Sequence, residues 1–355
     1  MTDMTISDAS RRQFLKTATG AALMASAASA LTACGKPAAQ SLLNVSFDPT
    51  REFFTAYNAL FAKKYASEGV AGAGKAAPTI NQSHGGSGKQ TRAVIDGLKA
   101  DVLSLALAHD IEAVAEAGLL AADWATRLPN NSVAYNSTIL LLVRKGNPKG
   151  IKDWGDLVKP GVQVITPNPK TSGAARWNYL VAYGWALRAN NGDEAKAQAY
   201  LEALFKNVPV LDTGARGATT TFIQRGQGDV LINWESEALM SQAKDGDQFD
   251  IVYPSLSIAA DTPVAWVDKN VATNGTEALA KAYLEGLYDE DAQTLAAQHY
   301  YRPTNADVLK SFADRFPAIE QLNIDRDFGG WATAHARHFA QGALFDQISA
   351  KVFKA

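Results

Sequence analysis

Three segments of the chain place glycine, serine and threonine between an apolar run and the start of a helical pattern. They are residues 83–90 (SHGGSGKQ), 169–177 (PKTSGAARW) and 212–219 (DTGARGAT). The first backbone N–H groups of a helix have no partner within it and carry partial positive charge, so a helix start favours anions. One such segment is typical of an ordinary capped turn. Three that each follow a strand predict one shared anion site beyond the strand ends.

A tryptophan follows a fourth apolar run. Residues 229–233 predict a buried strand, and Trp234 stands at its carboxyl end. An indole N–H is a neutral hydrogen-bond donor, and at this end of a strand it would face a ligand. The sequence leaves two interpretations open, because Trp234 could equally pack in the core.

The pair Gly88 and Lys89 invites comparison with the phosphate loop of ATP-binding proteins. That loop requires a glycine at the position of Ser83 and a serine or threonine at the position of Gln90. Both requirements fail, so no nucleotide site is predicted.

Residues that could perform catalysis or hold a metal are poorly arranged. Ser87 has glycine two positions before it but Lys89 two positions after it, so the nucleophile motif Gly-x-Ser-x-Gly is incomplete. His335 and His338 lie at helical spacing without a nearby carboxylate, and the single Cys34 excludes a cysteine zinc cage. We therefore predict a binding protein that is not an enzyme and has no cofactor and no metal.

Length and charge limit the kind of protein further. The chain has 355 residues, and single cores stop growing at about 250–300 residues, which favours two lobes. The formal net charge is −2, so no basic excess attracts nucleic acid. An anion would have to be held by a local site.

The N-terminus has the order of an export signal. Arg11 and Arg12 stand in a segment that resembles the twin-arginine export motif, and residues 17–31 form an apolar stretch too short and too weakly apolar to span a membrane. Cys34 ends a segment that resembles a lipobox, which predicts a lipid anchor. Ordinary cleavage near residues 28–33 is the alternative. Residues 1–40 are expected to be signal and tether, and the mature protein is expected in the periplasm.

Strand and helix patterns alternate after residue 40, which predicts an α/β fold with largely parallel sheets. The predicted strands cover residues 42–47, 79–82, 101–106, 137–143, 163–166, 229–233 and 249–252. The predicted helices begin at Pro49, cover residues 88–98, 176–187 and 195–205, and dominate the chain from residue 276.

Several long motifs, in order, resemble the sulfate-binding proteins of bacterial sulfate/thiosulfate ABC transporters. They are residues 42–52, 82–90, 143–149, 164–170, 212–217, 300–303, 328–331 and 345–349. The resemblance implies a two-lobed periplasmic binding protein of the second topological type, with sheets flanked by helices and the ligand in the cleft. It implies lobes of residues 41–131 plus 260–355 and of residues 132–259.

The resemblance also implies a function and partners. A monomer would capture sulfate or thiosulfate and deliver it to the permease subunits of an ABC transporter. The alternatives are a carrier of another tetrahedral oxyanion, such as phosphate or molybdate, and, in a different class, a sulfatase or phosphatase.

The contacts of the family transfer to matching positions of this chain. Backbone N–H groups would come from Asp48, Ser87, Gly173, Ala174 and Ala215, and side-chain donors would be the Ser172 hydroxyl and the Trp234 indole. Family members often have glycine where this chain has Ala174, and the backbone donor is kept with alanine.

Formal charges are expected to stay away from the anion. We expect Lys89, Arg176 and Arg216 to lie outside the contact shell or to pair with carboxylates. The carboxylate of Asp48 must point away or be paired, because it would repel a dianion.

Overall fold

The computed structural model describes residues 40–68 and 76–353. The predicted export signal, with Arg11, Arg12 and Cys34, lies outside these residues. Within them, every helix is too short or too polar to cross a bilayer.

Strands and helices alternate through most of the described chain. The strands are β1 (Ser41–Phe47), β2 (Thr79–Gly85), β3 (Val102–Ser104), β4 (Val133–Ser137), β5 (Ile139–Arg144), β6 (Val164–Pro167), β7 (Leu211–Asp212), β8 (Val230–Trp234), β9 (Phe249–Val252), β10 (Ser257–Ile258), β11 (Ala260–Trp266), β12 (Arg302–Pro303) and β13 (Gln321–Leu322). The helices are α1 (Arg51–Glu68), α2 (Ser87–Ile95), α3 (Ala108–Glu116), α4 (Pro129–Ser132), α5 (Gly173–Ala189), α6 (Glu194–Lys206), α7 (Ala215–Ile223), α8 (Glu235–Asp245), α9 (Asp268–Asn274), α10 (Glu277–Glu285), α11 (Glu290–Gln298), α12 (Ala306–Ser311), α13 (Ile324–Phe328), α14 (Gly330–His338) and α15 (Leu344–Val352).

Two sheets with the same internal order organise the described chain. The first has the order β12-β4-β11-β3-β1-β2 and the second the order β7-β6-β8-β5-β9. In each sheet one strand, β1 or β6, pairs in parallel with the next two strands along the chain. The carboxyl ends of these parallel strands therefore meet at one edge, where loops and helix starts collect.

The sheets are mixed, so the prediction of largely parallel sheets is wrong. Strand β11 lies antiparallel between β3 and β4, and β5 lies antiparallel between β8 and β9. These strands enter their sheets from the opposite end, which hydropathy patterns do not reveal.

The single strand predicted for residues 137–143 is in fact two strands in different sheets. Strand β4 ends at Ser137 and β5 begins at Ile139. Between them the Thr138 hydroxyl contacts Ser257 Oγ at 2.6 Å and the Ile258 carbonyl at 2.9 Å. Opposite Ser137 in the ladder lies Ala260, so a second segment crosses between the sheets at the same point. These two crossings lie side by side, and the chain passes to the second half again after β12.

The spacing of Phe53, Phe54, Tyr57, Leu60 and Phe61 predicts a buried stripe along one face of the first helix, and the structure confirms it. Phe53, Phe54, Tyr57 and Phe61 of α1 are all buried in one core with residues of the first sheet and of α10. Burying one such side chain contributes about 1.5–3 kcal/mol, so this stripe anchors α1 firmly on its half.

The C-terminal helices pack against the helices of the second sheet. Trp331 of α14 meets the Trp177 ring of α5 edge-on at 4.7 Å, and Phe345 of α15 meets Phe205 of α6 at 5.3 Å. Residues 321–352 therefore contact the second half of the molecule. The lobe boundaries drawn after residues 131 and 259 stay a prediction.

Candidate functional site

The three predicted turns meet at one small cavity between the halves. Its empty volume is about 190 Å³. This volume includes space open to solvent, so the enclosed part of the cavity is small. The lining residues are Phe47, Asp48, Pro49, Gly85, Gly86, Ser87, Ala106, Ser172, Gly173, Ala174 and Ala215.

Helix α2 reaches the cavity with its first residue. Its internal backbone bonding begins with the Gln90 N–H, which donates to the Gly86 carbonyl at 3.0 Å. The N–H of Ser87 lies before that bond and has no intrahelical acceptor. The Ser87 hydroxyl accepts from the Ala106 N–H at 3.1 Å, which fixes the helix start against the end of β3.

Helix α5 brings three predicted residues together. Ser172 caps the helix, and its hydroxyl oxygen accepts from the Ala175 N–H at 3.4 Å. The hydroxyl proton is then left to donate toward the cavity. Gly173 and Ala174 are the first helical residues, both are buried, and their N–H groups precede the first intrahelical bond.

The other two walls come from α7 and from the end of β1. Ala215 is the first residue of α7, which follows Gly214. Asp48 begins a short 3₁₀ turn that leads directly into α1. The Asp48 carboxylate pairs with Arg51 at 3.4 Å, which supplies the partner that its closeness to an anion site requires.

Trp234 is buried beside the cavity with its donor unused. The side chain is fully buried, and no group in the part of the chain that the structure describes accepts the indole N–H. Its ring packs on Phe47 at 5.4 Å, and Phe47 lines the cavity whereas Trp234 does not. A buried donor without an acceptor is costly, by about 1–3 kcal/mol. An occupant of this region that accepts the indole N–H would remove that cost.

The cations predicted to stay outside the cavity are absent from its lining. Arg216 donates to both Glu52 oxygens at 3.0 Å and to Glu237 at 2.9 Å. Arg176 lies 3.7 Å from Asp110. Among the lining residues the only formal charge is that of Asp48, so the groups of the lining with positive partial charge are peptide N–H groups and the Ser87 and Ser172 hydroxyls.

The pKa values of the two carboxylates that pair with Arg216 are shifted in opposite directions. Burial raises the pKa of Glu237 to about 7. Burial would also raise the pKa of Glu52, but the hydrogen bond and charge of Arg216 outweigh it and lower that pKa. Glu52 belongs to α1 and Arg216 to α7, so this ion pair joins the two halves next to the cavity.

The structure contains one serine–histidine contact that was not predicted from the sequence. Ser46 Oγ lies 2.7 Å from His84 Nδ1. Ser46 is fully buried, and burial lowers the pKa of His84 to about 4. Neither residue lines the cavity, so the pair belongs to the packing of β1 on β2. Within residues 40–68 and 76–353, no group of His, Cys, Asp and Glu is arranged to hold a metal ion.

Known proteins identify the family. Residues 43–302 match the family model of the bacterial extracellular solute-binding proteins. The chain belongs to this family. It is 56% identical over 309 residues to the sulfate-binding protein of Salmonella typhimurium, which covers 87% of this chain and 92% of that protein.

Two further known proteins support the same family assignment. The thiosulfate-binding protein of Pseudomonas aeruginosa is 51% identical over 313 residues, covering 88% of this chain and 92% of its own. The solved structure of a sulfate-binding protein of Mycobacterium tuberculosis superposes with a TM-score of 0.76 at 31% identity, covering 84% of this chain and 99% of that one. The predicted two-lobed α/β fold of this solute-binding protein is thereby confirmed.

Six of the seven predicted ligand residues line the cavity, and the seventh, Trp234, packs on a lining residue. Sequence reasoning missed Phe47, Pro49 and Ala106. All three stand at or just after the end of a strand, and that position was the available signal. Their apolar side chains carried no chemistry that would single them out.

Proposed function

We propose that this protein captures inorganic sulfate or thiosulfate in the cleft between its halves and delivers it to an ABC transporter. The observation that carries the proposal is the cavity itself, because four helix or 3₁₀-turn starts lie at it, their first N–H groups have no acceptor within the helix, and its lining includes no Lys or Arg. The two relatives reported above, one named for sulfate and one for thiosulfate, support the same ligand class.

The donor-only character of the site favours an anion without a proton. Sulfate at neutral pH has no proton to donate, so a ring of N–H and O–H donors satisfies it completely. Hydrogenphosphate carries a proton and needs an acceptor. The carboxylate of Asp48 is the charged acceptor in the lining, and it is already paired with Arg51. Phosphate is therefore expected to bind much more weakly than sulfate.

The size of the ligand bounds the affinity. The best small ligands gain about −1.5 kcal/mol per heavy atom, so a five-atom sulfate gains about −7.5 kcal/mol, close to micromolar binding. Preorganised helix starts favour the tighter side of that value, and we expect a dissociation constant at or below about 1 μM.

The proposed cellular setting follows from the N-terminal sequence and the family. The protein would leave the cytoplasm by the twin-arginine route and work as a monomer in the periplasm, and Cys34 would carry a lipid anchor. Mass spectrometry of the mature N-terminus tests the anchor, since an unmodified start after residue 28 to 33 contradicts it. We also propose that the lobes comprise residues 41–131 plus 260–355 and residues 132–259, with β4 and residues 321–352 as the segments that contact across this division.

Calorimetric titration with sulfate, thiosulfate, phosphate and molybdate tests the ligand. We expect sulfate or thiosulfate to bind most tightly. Tighter binding of phosphate or molybdate would assign the protein to another oxyanion. Incubation with an aryl sulfate ester and an aryl phosphate ester tests the enzymatic alternative, and turnover of either would refute the proposed role as a carrier.

A further inference from the structure

Gly86 lies where the two halves of the molecule come closest. It precedes α2, on the half built on the first sheet, and it faces backbone of the other half. A Cβ atom added to Gly86 would stand 2.7 Å from the Thr171 carbonyl oxygen and 3.1 Å from the Thr213 carbonyl oxygen. Both oxygens belong to segments that carry the starts of α5 and α7, so they cannot rotate away as the end of a side chain could.

The backbone torsion angles of Gly86 do not require glycine. Its φ is −59° and its ψ is 133°, a combination open to every L-residue. Glycine is usually required where φ is positive or where another backbone approaches closely. At position 86 only the second reason applies, and the approaching backbone comes from the opposite half.

Other contacts show that the halves meet along this line. The Trp177 indole of α5 donates to the Ala106 carbonyl at 2.9 Å. A Cβ on Gly173 would stand 2.7 Å from the Ala106 Cβ atom. Each half thus presents a glycine to the other, and these contacts exist only when the halves are together.

We propose that Gly86 is a positioning residue whose missing side chain lets the two halves close over the bound anion. Gly86 differs from the proposed ligand donors. A substitution at this position keeps the backbone N–H and removes only the space that lets the two halves approach. The proposal rests on the proposed function, since closure is read through binding of sulfate. An alanine at position 86 would leave the separated halves undisturbed and oppose their contact.

A graded set of alanine variants tests this in the purified mature protein. Gly86→Ala meets fixed backbone at 2.7 Å, Gly214→Ala meets the Asp48 carboxylate at 3.2 Å, and Gly88→Ala meets the Thr171 carbonyl at 3.8 Å, an ordinary contact. We expect Gly86→Ala to raise the dissociation constant for sulfate at least tenfold, equivalent to about 1.4 kcal/mol. Gly214→Ala should have a smaller effect, because a side chain can yield, and Gly88→Ala should bind as the unchanged protein does.

Two further readouts separate closure from other roles. Small-angle X-ray scattering should show sulfate-induced compaction in the unchanged protein and in Gly88→Ala, and less in Gly86→Ala at the same sulfate concentration. The melting temperature without sulfate should be the same for Gly86→Ala and the unchanged protein. A clash with the ion itself would weaken the longer thiosulfate more than sulfate, whereas hindered closure weakens both by the same factor.

The possible outcomes distinguish a failure of the proposed function from a failure of the proposed role of Gly86. If the unchanged protein binds neither sulfate nor thiosulfate, the proposed function is wrong. If it binds and Gly86→Ala has the same affinity and compaction, the clearance role is wrong. A lower melting temperature of ligand-free Gly86→Ala, or a larger loss for thiosulfate than for sulfate, would also overturn it. Should Gly86→Ala not fold, the role is likewise refuted, and equal affinities of Gly214→Ala and Gly88→Ala would refute it independently.

Discussion

The Trp234→Phe substitution tests the proposed indole donor most directly. Phenylalanine keeps an aromatic ring for the contact with Phe47 and removes the N–H. No group among the described residues accepts that N–H, so its removal costs no hydrogen bond within this part of the protein. With sulfate bound, the same N–H would donate to a dianion.

The expected loss follows from this difference between the two states. A hydrogen bond to a charged group contributes about 1.5–3 kcal/mol, and the smaller ring leaves space that the site partly refills. We therefore expect Trp234→Phe to weaken sulfate binding by about 1–3 kcal/mol, or roughly 5- to 150-fold. The free energy of unfolding without sulfate should change through lost packing alone.

Two other buried tryptophans provide matched controls. The Trp154 indole donates to the Leu256 carbonyl at 2.7 Å, within one half of the molecule. Trp154→Phe should lower the free energy of unfolding and leave sulfate affinity unchanged. The Trp177 indole donates across the halves to Ala106, so Trp177→Phe should weaken binding by hindering closure.

Calorimetric titration and urea unfolding of the three variants, side by side, give the answer. An unchanged affinity of Trp234→Phe would mean that the indole is a core side chain only. An affinity loss in Trp154→Phe equal to that in Trp234→Phe would show that removing any buried indole disturbs the site. Either result refutes the assignment of Trp234 as a ligand donor.

Three further substitutions test the Ser172 cap of α5, the ion pair between the halves and the buried His338. Ser172→Ala removes a hydroxyl donor to a charged ligand, worth about 1.5–3 kcal/mol, so sulfate affinity should fall at least about tenfold in a calorimetric titration. Glu52→Gln removes the carboxylate that pairs with Arg216 across the halves. Because both side chains are partly exposed, we expect a loss of about 0.2–1 kcal/mol in sulfate affinity. Burial, helped by the charge of Arg337, lowers the pKa of His338 to about 4, so the unfolded state binds more protons between pH 6.5 and 4 and stability falls as the pH falls through that window. Between pH 7 and 5 this contributes about 2 kcal/mol to the loss of unfolding free energy, and His338→Gln should lose that much less by urea unfolding.

Matched variants isolate each effect. Asp193 caps α6 as Ser172 caps α5, accepting from the Lys196 N–H at 3.1 Å, so Asp193→Ala should reduce stability and not affinity. Glu277 pairs with Lys281 within one helix at 2.7 Å, so Glu277→Gln should bind sulfate normally. Equal affinities for Ser172→Ala and Asp193→Ala, or for the two glutamine variants, would contradict the respective predictions. Equal pH dependence of His338→Gln and the unchanged protein would contradict the third.

The helix starts that line the cavity could be predicted because their signals are local. Small residues between a strand pattern and a helical pattern marked the turns before Ser87, Gly173 and Ala215, and the structure places all three at the cavity. Periodicity also found the buried stripe of α1. Such features depend on neighbours within a few residues along the chain.

Features that depend on distant parts of the chain could not be predicted in the same way. The break at Thr138 divides one apolar run between two sheets, and only its contacts with Ser257 and Ile258 explain it. Whether the Trp234 indole N–H has a hydrogen-bond acceptor depends on all the groups that surround it in space. The tight approach at Gly86 depends on carbonyl groups more than 80 residues away in sequence.

A cavity walled by peptide groups has a consequence for where such a receptor can work. Amide and indole N–H groups neither gain nor lose protons over the acidities at which cells grow, so the strength of these contacts does not drift with the surrounding medium. Binding then depends on the shape and protonation state of the anion, and on how freely the two halves can meet.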